Sequence, residues 1–137
     1  MSDFPVTVFH NPACGTSRNV VAAVKEAGYA PQVIEYLKAG WTKAQLKDLL
    51  DQMGARPRDI LRTKGTPAEE LGLTAPTASD DDILNAMVEN PILVNRPIVV
   101  TPRGTALCRP SEEVFTLLDK VPESFTKEDG DKVVPRA

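Results

Sequence analysis

Val6-Thr7-Val8-Phe9 is a short β-branched and aromatic run closed by Asn11-Pro12, the pattern of a first strand. From Ser17 to Ala27 the period changes. Val20, Val21 and Val24 recur at helical spacing, and Gly28 is placed to stop the helix just past its end. Gln32-Val33-Ile34-Glu35-Tyr36 returns to a strand pattern. Strand, helix and strand in so short a stretch form a βαβ unit, whose strands should run parallel with a right-handed crossover.

The middle of the chain reads as helical. Thr42 with Gln45 three residues on is a capping box, and Leu46, Leu49, Leu50 and Met53 follow as one buried stripe. Pro57 can open a short helix through Leu61, broken by Gly65-Thr66-Pro67. Ser79 with Asp82 caps another helix, and the acids Asp80 to Asp82 suit its positive end. That helix should bury Ile83, Leu84, Met87 and Val88 and end before Pro91. Strands then return. Ile98-Val99-Val100-Thr101, a turn at Arg103-Gly104, and Thr105 to Cys108 make a hairpin. Pro110 to Leu118 closes with a helix presenting Val114, Leu117, Leu118 and Val121 on one face, and residues 127–137 form a polar, loosely held tail. The order predicts an α/β domain, a thioredoxin-like β-α-β / β-β-α arrangement. It should have a mixed four-stranded sheet and a helical insertion, about residues 42–90, between the halves.

Composition narrows the classes. With 137 residues, one domain is expected, large enough to fold without disulfide or metal. The net charge of −3 gives no footprint for nucleic acid or an anionic membrane. Any anion site must therefore be local. Met1 to Pro5 lacks a secretory pattern and no apolar run is long enough to span a bilayer. Two cysteines distant in sequence, Cys14 and Cys108, and one histidine, His10, make neither a disulfide framework nor a zinc site. A cytoplasmic protein with free thiols and no metal is expected.

The chemistry concentrates in His10-Asn11-Pro12-Ala13-Cys14-Gly15-Thr16-Ser17-Arg18-Asn19. Cys14 falls between the first strand and the first helix, facing a helix N-terminus whose unpaired N–H groups and partial positive charge favour the thiolate. The same donors, from Gly15 through Thr16 and Ser17 to Arg18, can cradle a tetrahedral oxyanion. Gly15 lets the backbone come close, and Arg18 adds a cation nearby. His10 is either a strand-end histidine satisfied by backbone or a support for the thiolate. Cys14-Gly15-Thr16-Ser17 is C-x-x-S, without a resolving thiol, so an outside thiol must complete any redox cycle. A phosphatase loop, C-x5-R, is excluded because Val20 stands where the arginine should be.

Arg62, Arg96 and Arg109 each sit at a predicted element end beside a proline or a breaker. In a thioredoxin-like sheet the loop before the third strand lies beside the N-terminus of the first helix, which places Arg96 near Cys14. Pro97 is then the candidate cis-proline. Planar guanidinium forks match a tetrahedral oxyanion better than lysine does. Cys108, beside Leu107, reads as a small buried residue.

The first block resembles the active-site motif of the glutaredoxin-coupled arsenate reductases. Leu61-Arg62-Thr63-Lys64, Asn95-Arg96-Pro97-Ile98-Val99, Cys108-Arg109-Pro110 and Phe125-Thr126-Lys127-Glu128-Asp129-Gly130 are similar to that family's later blocks. The resemblance runs from Val6 to about Val134. It implies Cys14 as the nucleophile on arsenate, with Arg62, Arg96 and Arg109 holding the oxyanion and the arsenic adducts. It also implies His10 and Ser17 favouring the thiolate, glutathione as co-substrate, glutaredoxin as reductant, and no bound cofactor. Two other readings stay open: a monothiol glutaredoxin-like thiol reductase, which needs a peptide groove, and a redox-linked regulator, whose sensing form needs a paired C-x-x-C.

Overall fold

The computed structural model describes residues 4–135. The chain divides into two compact units, the second close to the expected helical insertion. One joins the residues up to Glu35 with those from Arg96 onward, and the other is Tyr36–Asn95.

The first unit holds a four-stranded sheet. Strand β1 (Thr7–His10) leads through helix α1 (Gly15–Glu26) to β2 (Gln32–Glu35). After the second unit come β3 (Ile98–Thr101) and β4 (Gly104–Leu107). The order is β2-β1-β3-β4. β1 runs parallel to β2, with Val8 opposite Val33, and antiparallel to β3, with Val8 opposite Val99. β3 and β4 are antiparallel, with Val99 opposite Ala106. The mixed sheet follows from the connections: β1 and β2 are joined by a helix, β3 and β4 by a tight turn.

Val6, Val8 and Val99 pack with Val20, Ala23 and Val24 of α1 and with Val114, Phe115, Leu117 and Leu118. Each large apolar side chain buried there contributes about 1.5–3 kcal/mol. The sum far exceeds what the hydrogen bonds of a surface loop supply, so the sheet and α1 form the fixed platform and the loop between them is positioned on it. α1 ends where expected: Ala27 is its C-cap, Gly28 has φ +98°, and the Tyr29 N–H returns to the Val24 carbonyl at 3.2 Å.

Several boundaries differ from the sequence expectation. The closing segment is a 3₁₀ helix, Ser111–Leu117, rather than an α-helix; i−3 bonds such as Glu113 N–H to Pro110 O (3.1 Å) tighten this short run directly after a proline. Cys108 and Arg109 lie just beyond β4, and the Cys108 N–H donates to the Pro97 carbonyl at 2.9 Å. Residues from 127 onward are not a loose tail as far as Val133. β5 (Phe125–Thr126) pairs with β6 (Lys132–Val133), the Phe125 ring meets Phe115 edge-on at 6.0 Å, and Lys127 pairs with Glu112 at 2.7 Å. The last two residues of the expected tail lie outside the described residues, as do the first three of the chain.

The second unit is helical: α2 (Tyr36–Ala39), α3 (Lys43–Met53), 3₁₀ turns at Pro57–Ile60 and Pro91–Leu93, and α4 (Asp80–Glu89). Tyr36 opens α2 instead of closing β2. Its ring is buried beside Trp41 at 5.2 Å, and its hydroxyl donates to the Val94 carbonyl at 3.0 Å. The Thr42 hydroxyl accepts from the Gln45 N–H, and Ser79 with Asp82 forms a complete capping box. Ile83, Leu84 and Met87 are buried, while Val88 is half-buried. Among the described residues no helix is long and apolar enough to cross a membrane.

Candidate active site

The chain leaves β1 at His10 and must turn into α1 within four residues. Asn11 makes that turn. Its carbonyl accepts the Cys14 N–H at 3.0 Å, its side-chain Oδ1 accepts the Ala13 N–H at 2.9 Å, and its own N–H donates to Ser17 Oγ at 3.1 Å. Pro12, with its fixed φ, suits the second position of such a turn and has no N–H to satisfy. Asn11 is 2% exposed, so these bonds replace water that cannot reach it. Sequence reasoning read Asn11 only as a strand terminator; the Asn-Pro pair was the available signal for its side-chain turn.

Cys14 is the N-cap of α1, with extended backbone (φ −101°, ψ 122°) and 8% exposure. Its carbonyl accepts the Arg18 N–H at 3.0 Å, the first full turn of the helix. The amides of Gly15, Thr16 and Ser17 are thereby the N-terminal donors with no intrahelical acceptor. Arg18, expected in the oxyanion seat, is engaged elsewhere in this structure. Its amide is committed to the helix, and its guanidinium is taken by Glu128, at 2.7 and 3.0 Å, and by the Pro12 carbonyl at 2.8 Å.

Three donors meet the Cys14 sulfur: the Ser17 amide and the side chains of Arg96 and Arg109. Arg109 Nη1 lies 3.7 Å from Sγ and also donates to the Arg96 carbonyl at 2.9 Å. One side chain therefore joins the loop before β3 to the end of β4. The Arg96–Pro97 and Arg109–Pro110 peptide bonds are both cis. Burial pushes the Cys14 thiol up, but the Ser17 amide, the hydrogen bonds from Arg96 and Arg109 and the Arg96 charge together outweigh it and bring it down to about 7. Cys108 shows the contrast. It is fully buried, and burial first, with the Glu113 charge second, pushes its thiol up to about 12.

His10 lies beside Ser17. Its Nδ1 lies 2.6 Å from Ser17 Oγ, and Ser17 is the residue whose amide meets Cys14. Burial lowers the His10 pKa, against Glu35 opposite it on β2 and with some help from Arg18. A neutral ring can accept the Ser17 hydroxyl proton, leaving Oγ free to accept from the Asn11 N–H. His10 thus meets the sulfur through Ser17. Arg62 belongs to the second unit. Its N–H donates to the Leu93 carbonyl at 2.7 Å and its Nε to the Lys64 carbonyl at 3.3 Å. Among the described residues no group of three or more His, Cys, Asp or Glu side chains could hold a metal ion.

A thiol at about 7 beside cationic donors has the chemistry that attack on an anion requires. The model of the ArsC family matches residues 9–117. The chain belongs to the ArsC family. Among the relatives of this ArsC protein, an arsenate reductase of a Synechocystis strain is 55% identical over 135 residues, 98% of this chain and 94% of the relative. The arsenate reductase of Escherichia coli K12 is 48% identical over 133 residues, 96% of this chain and 94% of the relative. A solved arsenate reductase from Vibrio cholerae superposes with a TM-score of 0.80 at 38% identity, covering 85% of this ArsC chain and 100% of the solved one.

Selective alkylation follows from the two thiols. Iodoacetamide at pH 7.0 should label Cys14 and leave Cys108 untouched in the folded protein, since about half of one thiol and almost none of the other is ionised. Below pH 7 the labelling rate should fall about tenfold per pH unit as the sulfur takes up its proton. A Cys14 midpoint in the ordinary thiol range near about 8.5 would remove the three-donor account of the site.

Proposed function

We propose that this protein reduces arsenate to arsenite through the Cys14 thiolate, in a reducing cytoplasm, with glutathione and glutaredoxin supplying the electrons. The observation that carries the reading is the meeting of the Ser17 amide, Arg96 and Arg109 on one sulfur held at about 7. The names of the relatives, arsenate reductases at 48–55% identity over nearly the whole chain, support it.

In the first step Cys14 Sγ attacks arsenic(V) and one arsenate oxygen leaves as water, giving a covalent thiol–arsenate. The amides of Gly15, Thr16 and Ser17 with Arg96 and Arg109 are the donors for the remaining oxygens. Because they are fixed in place before reaction, they stabilise the charge that develops there without reorganising. The resemblance adds Arg62 as a third guanidinium for the adduct. A glutathione thiolate then attacks the Cys14 adduct. Two thiols give up two electrons, arsenic(V) becomes arsenic(III), and arsenite departs, leaving a Cys14–glutathione disulfide. C-x-x-S has no second thiol to resolve that disulfide, so glutaredoxin restores Cys14. Phosphate has the same shape and charge as arsenate and competes for the seat. Selectivity lies in the redox step, since thiols do not reduce phosphorus under these conditions.

The test is arsenite formation with the full chain, arsenate and glutathione, with and without glutaredoxin. Turnover that requires both is the expected result. Turnover supported by thioredoxin alone would replace the proposed reductant, and no arsenite under any thiol system would end the reading.

A further inference from the structure

The peptide between Pro12 and Ala13 lies just ahead of the nucleophile and is held at both ends. Its carbonyl accepts Arg18 Nη1 at 2.8 Å, and its N–H donates to Asn11 Oδ1 at 2.9 Å. The guanidinium that holds it is itself held: Nε donates to Glu128 Oε2 at 2.7 Å and Nη2 to Oε1 at 3.0 Å. The Glu128 N–H donates to Asn19 Oδ1 at 3.0 Å, on the residue next to Arg18. Glu128 lies in the connection between β5 and β6, which the Phe125–Phe115 contact and the Lys127–Glu112 pair fasten to the same unit. A continuous line of contacts therefore runs from the C-terminal hairpin to the loop that carries Cys14.

We infer that Arg18 and Glu128 are positioning residues: the C-terminal hairpin braces the nucleophile's loop by fixing the Pro12–Ala13 peptide plane, and Arg18 does not serve as an oxyanion ligand. The inference rests on the reading of Cys14 as the nucleophile. A guanidinium presents five donors in one plane, so two donors of one edge can grip a carboxylate while a third reaches a carbonyl; an ammonium has no such fork. Rotation of that plane would swing the chain entering Cys14 and carry Sγ away from the Ser17 amide, Arg96 and Arg109. Small displacements of a reacting group are expensive in rate. The pair is exposed, with side chains 44% and 47% accessible, so it contributes little to global stability. Its effect falls on local geometry.

A brace and a substrate ligand make opposite predictions for Glu128. If Arg18 were a cation waiting for substrate, Glu128→Ala would unmask it, tighten arsenate binding and lower the Cys14 midpoint. As a brace, the same change loosens the loop. The groups facing Cys14 directly or through Ser17, namely Arg96, Arg109 and His10, are the same in every variant.

Glu128→Ala, Arg18→Ala and the double variant are compared by arsenate kcat and KM and by the pH profile of iodoacetamide labelling at Cys14. Each single change should lower kcat by roughly three- to tenfold with KM little altered and the thermal midpoint near that of the parent. The double variant should be no slower than the slower single one, because either change breaks the same bridge. The labelling midpoint should rise in all three. Glu128→Gln, which keeps one acceptor but loses the charged fork, should fall between parent and Glu128→Ala. A lower KM or a lowered midpoint in Glu128→Ala, additive losses, or unchanged kinetics would overturn the inference. Labelling needs no arsenate. If the parent labels at Cys14 but makes no arsenite, the functional reading fails while the brace is still tested.

Discussion

Cys14→Ser should abolish arsenite production, by roughly a thousandfold or more, and leave the protein folded. The change is nearly isosteric at a site 8% exposed, so the platform beneath it is untouched. What disappears is the ionised sulfur. Ser17, Arg96 and Arg109 bring a thiol to about 7, but a hydroxyl starts far higher, and no comparable set of hydrogen bonds ionises it at neutral pH. Cys108→Ser is the matched control. It removes a sulfur that burial keeps protonated, so activity should remain. Stability should fall by about 1–3 kcal/mol from placing a hydroxyl at a position that is 0% exposed. Arsenite assays alongside circular dichroism of both variants check the pair. An active Cys14→Ser protein, or a folded but inactive Cys108→Ser protein, would reverse the assignment of the two thiols.

Arg96→Ala should act on two steps at once. Its side chain donates to the Cys14 sulfur and its charge favours the thiolate. The same fork is the donor proposed for the oxyanion. Loss of one charge-assisted contact at this half-buried position corresponds to about 1.5–3 kcal/mol, or about ten- to more than a hundredfold in kcat/KM. The Cys14 labelling midpoint should move up from about 7, because removing a cation and a donor favours the protonated sulfur. At fixed neutral pH the thiolate fraction then drops. Arg96→Lys should restore part of the midpoint shift through its charge but little of the arsenate affinity, since an ammonium cannot make the planar two-point contact. A full rate at low arsenate in Arg96→Ala, with an unmoved midpoint, would remove Arg96 from the site.

The reactive loop was legible because its signals are local. A β-branched strand, Asn-Pro, a lone cysteine and a helical run of valines lie within 20 residues, and each element's period announces itself. β3 and the turn at Gly104 were equally plain. Arg96 was placed beside Cys14 by strand order, through a rule of topology rather than through any local pattern. Glu128 was invisible as a partner because its contact spans 110 residues, and nothing in a polar segment tells which carboxylate finds which guanidinium. For the same reason the proximity of Arg18 to Cys14 in sequence says nothing of its pairing with Glu128. Tyr36 was given to a strand because an aromatic suits one; its burial beside Trp41 and its bond to Val94 are tertiary facts that override propensity.

The placement of β1 between β2 and β3 ties the reactivity of the protein to the order in which it is synthesised. β1, the Cys14 loop, α1 and β2 emerge first, and the residues from Tyr36 to Asn95 follow before either arginine exists. Arg109 enters 95 residues after the sulfur it meets. Until β3 and β4 arrive to complete the sheet, Cys14 lacks the two guanidinium donors that help to lower its pKa. A chain that ends before Arg96 therefore lacks both guanidinium donors, and the full set around the sulfur assembles only when the last third of the protein folds against the first.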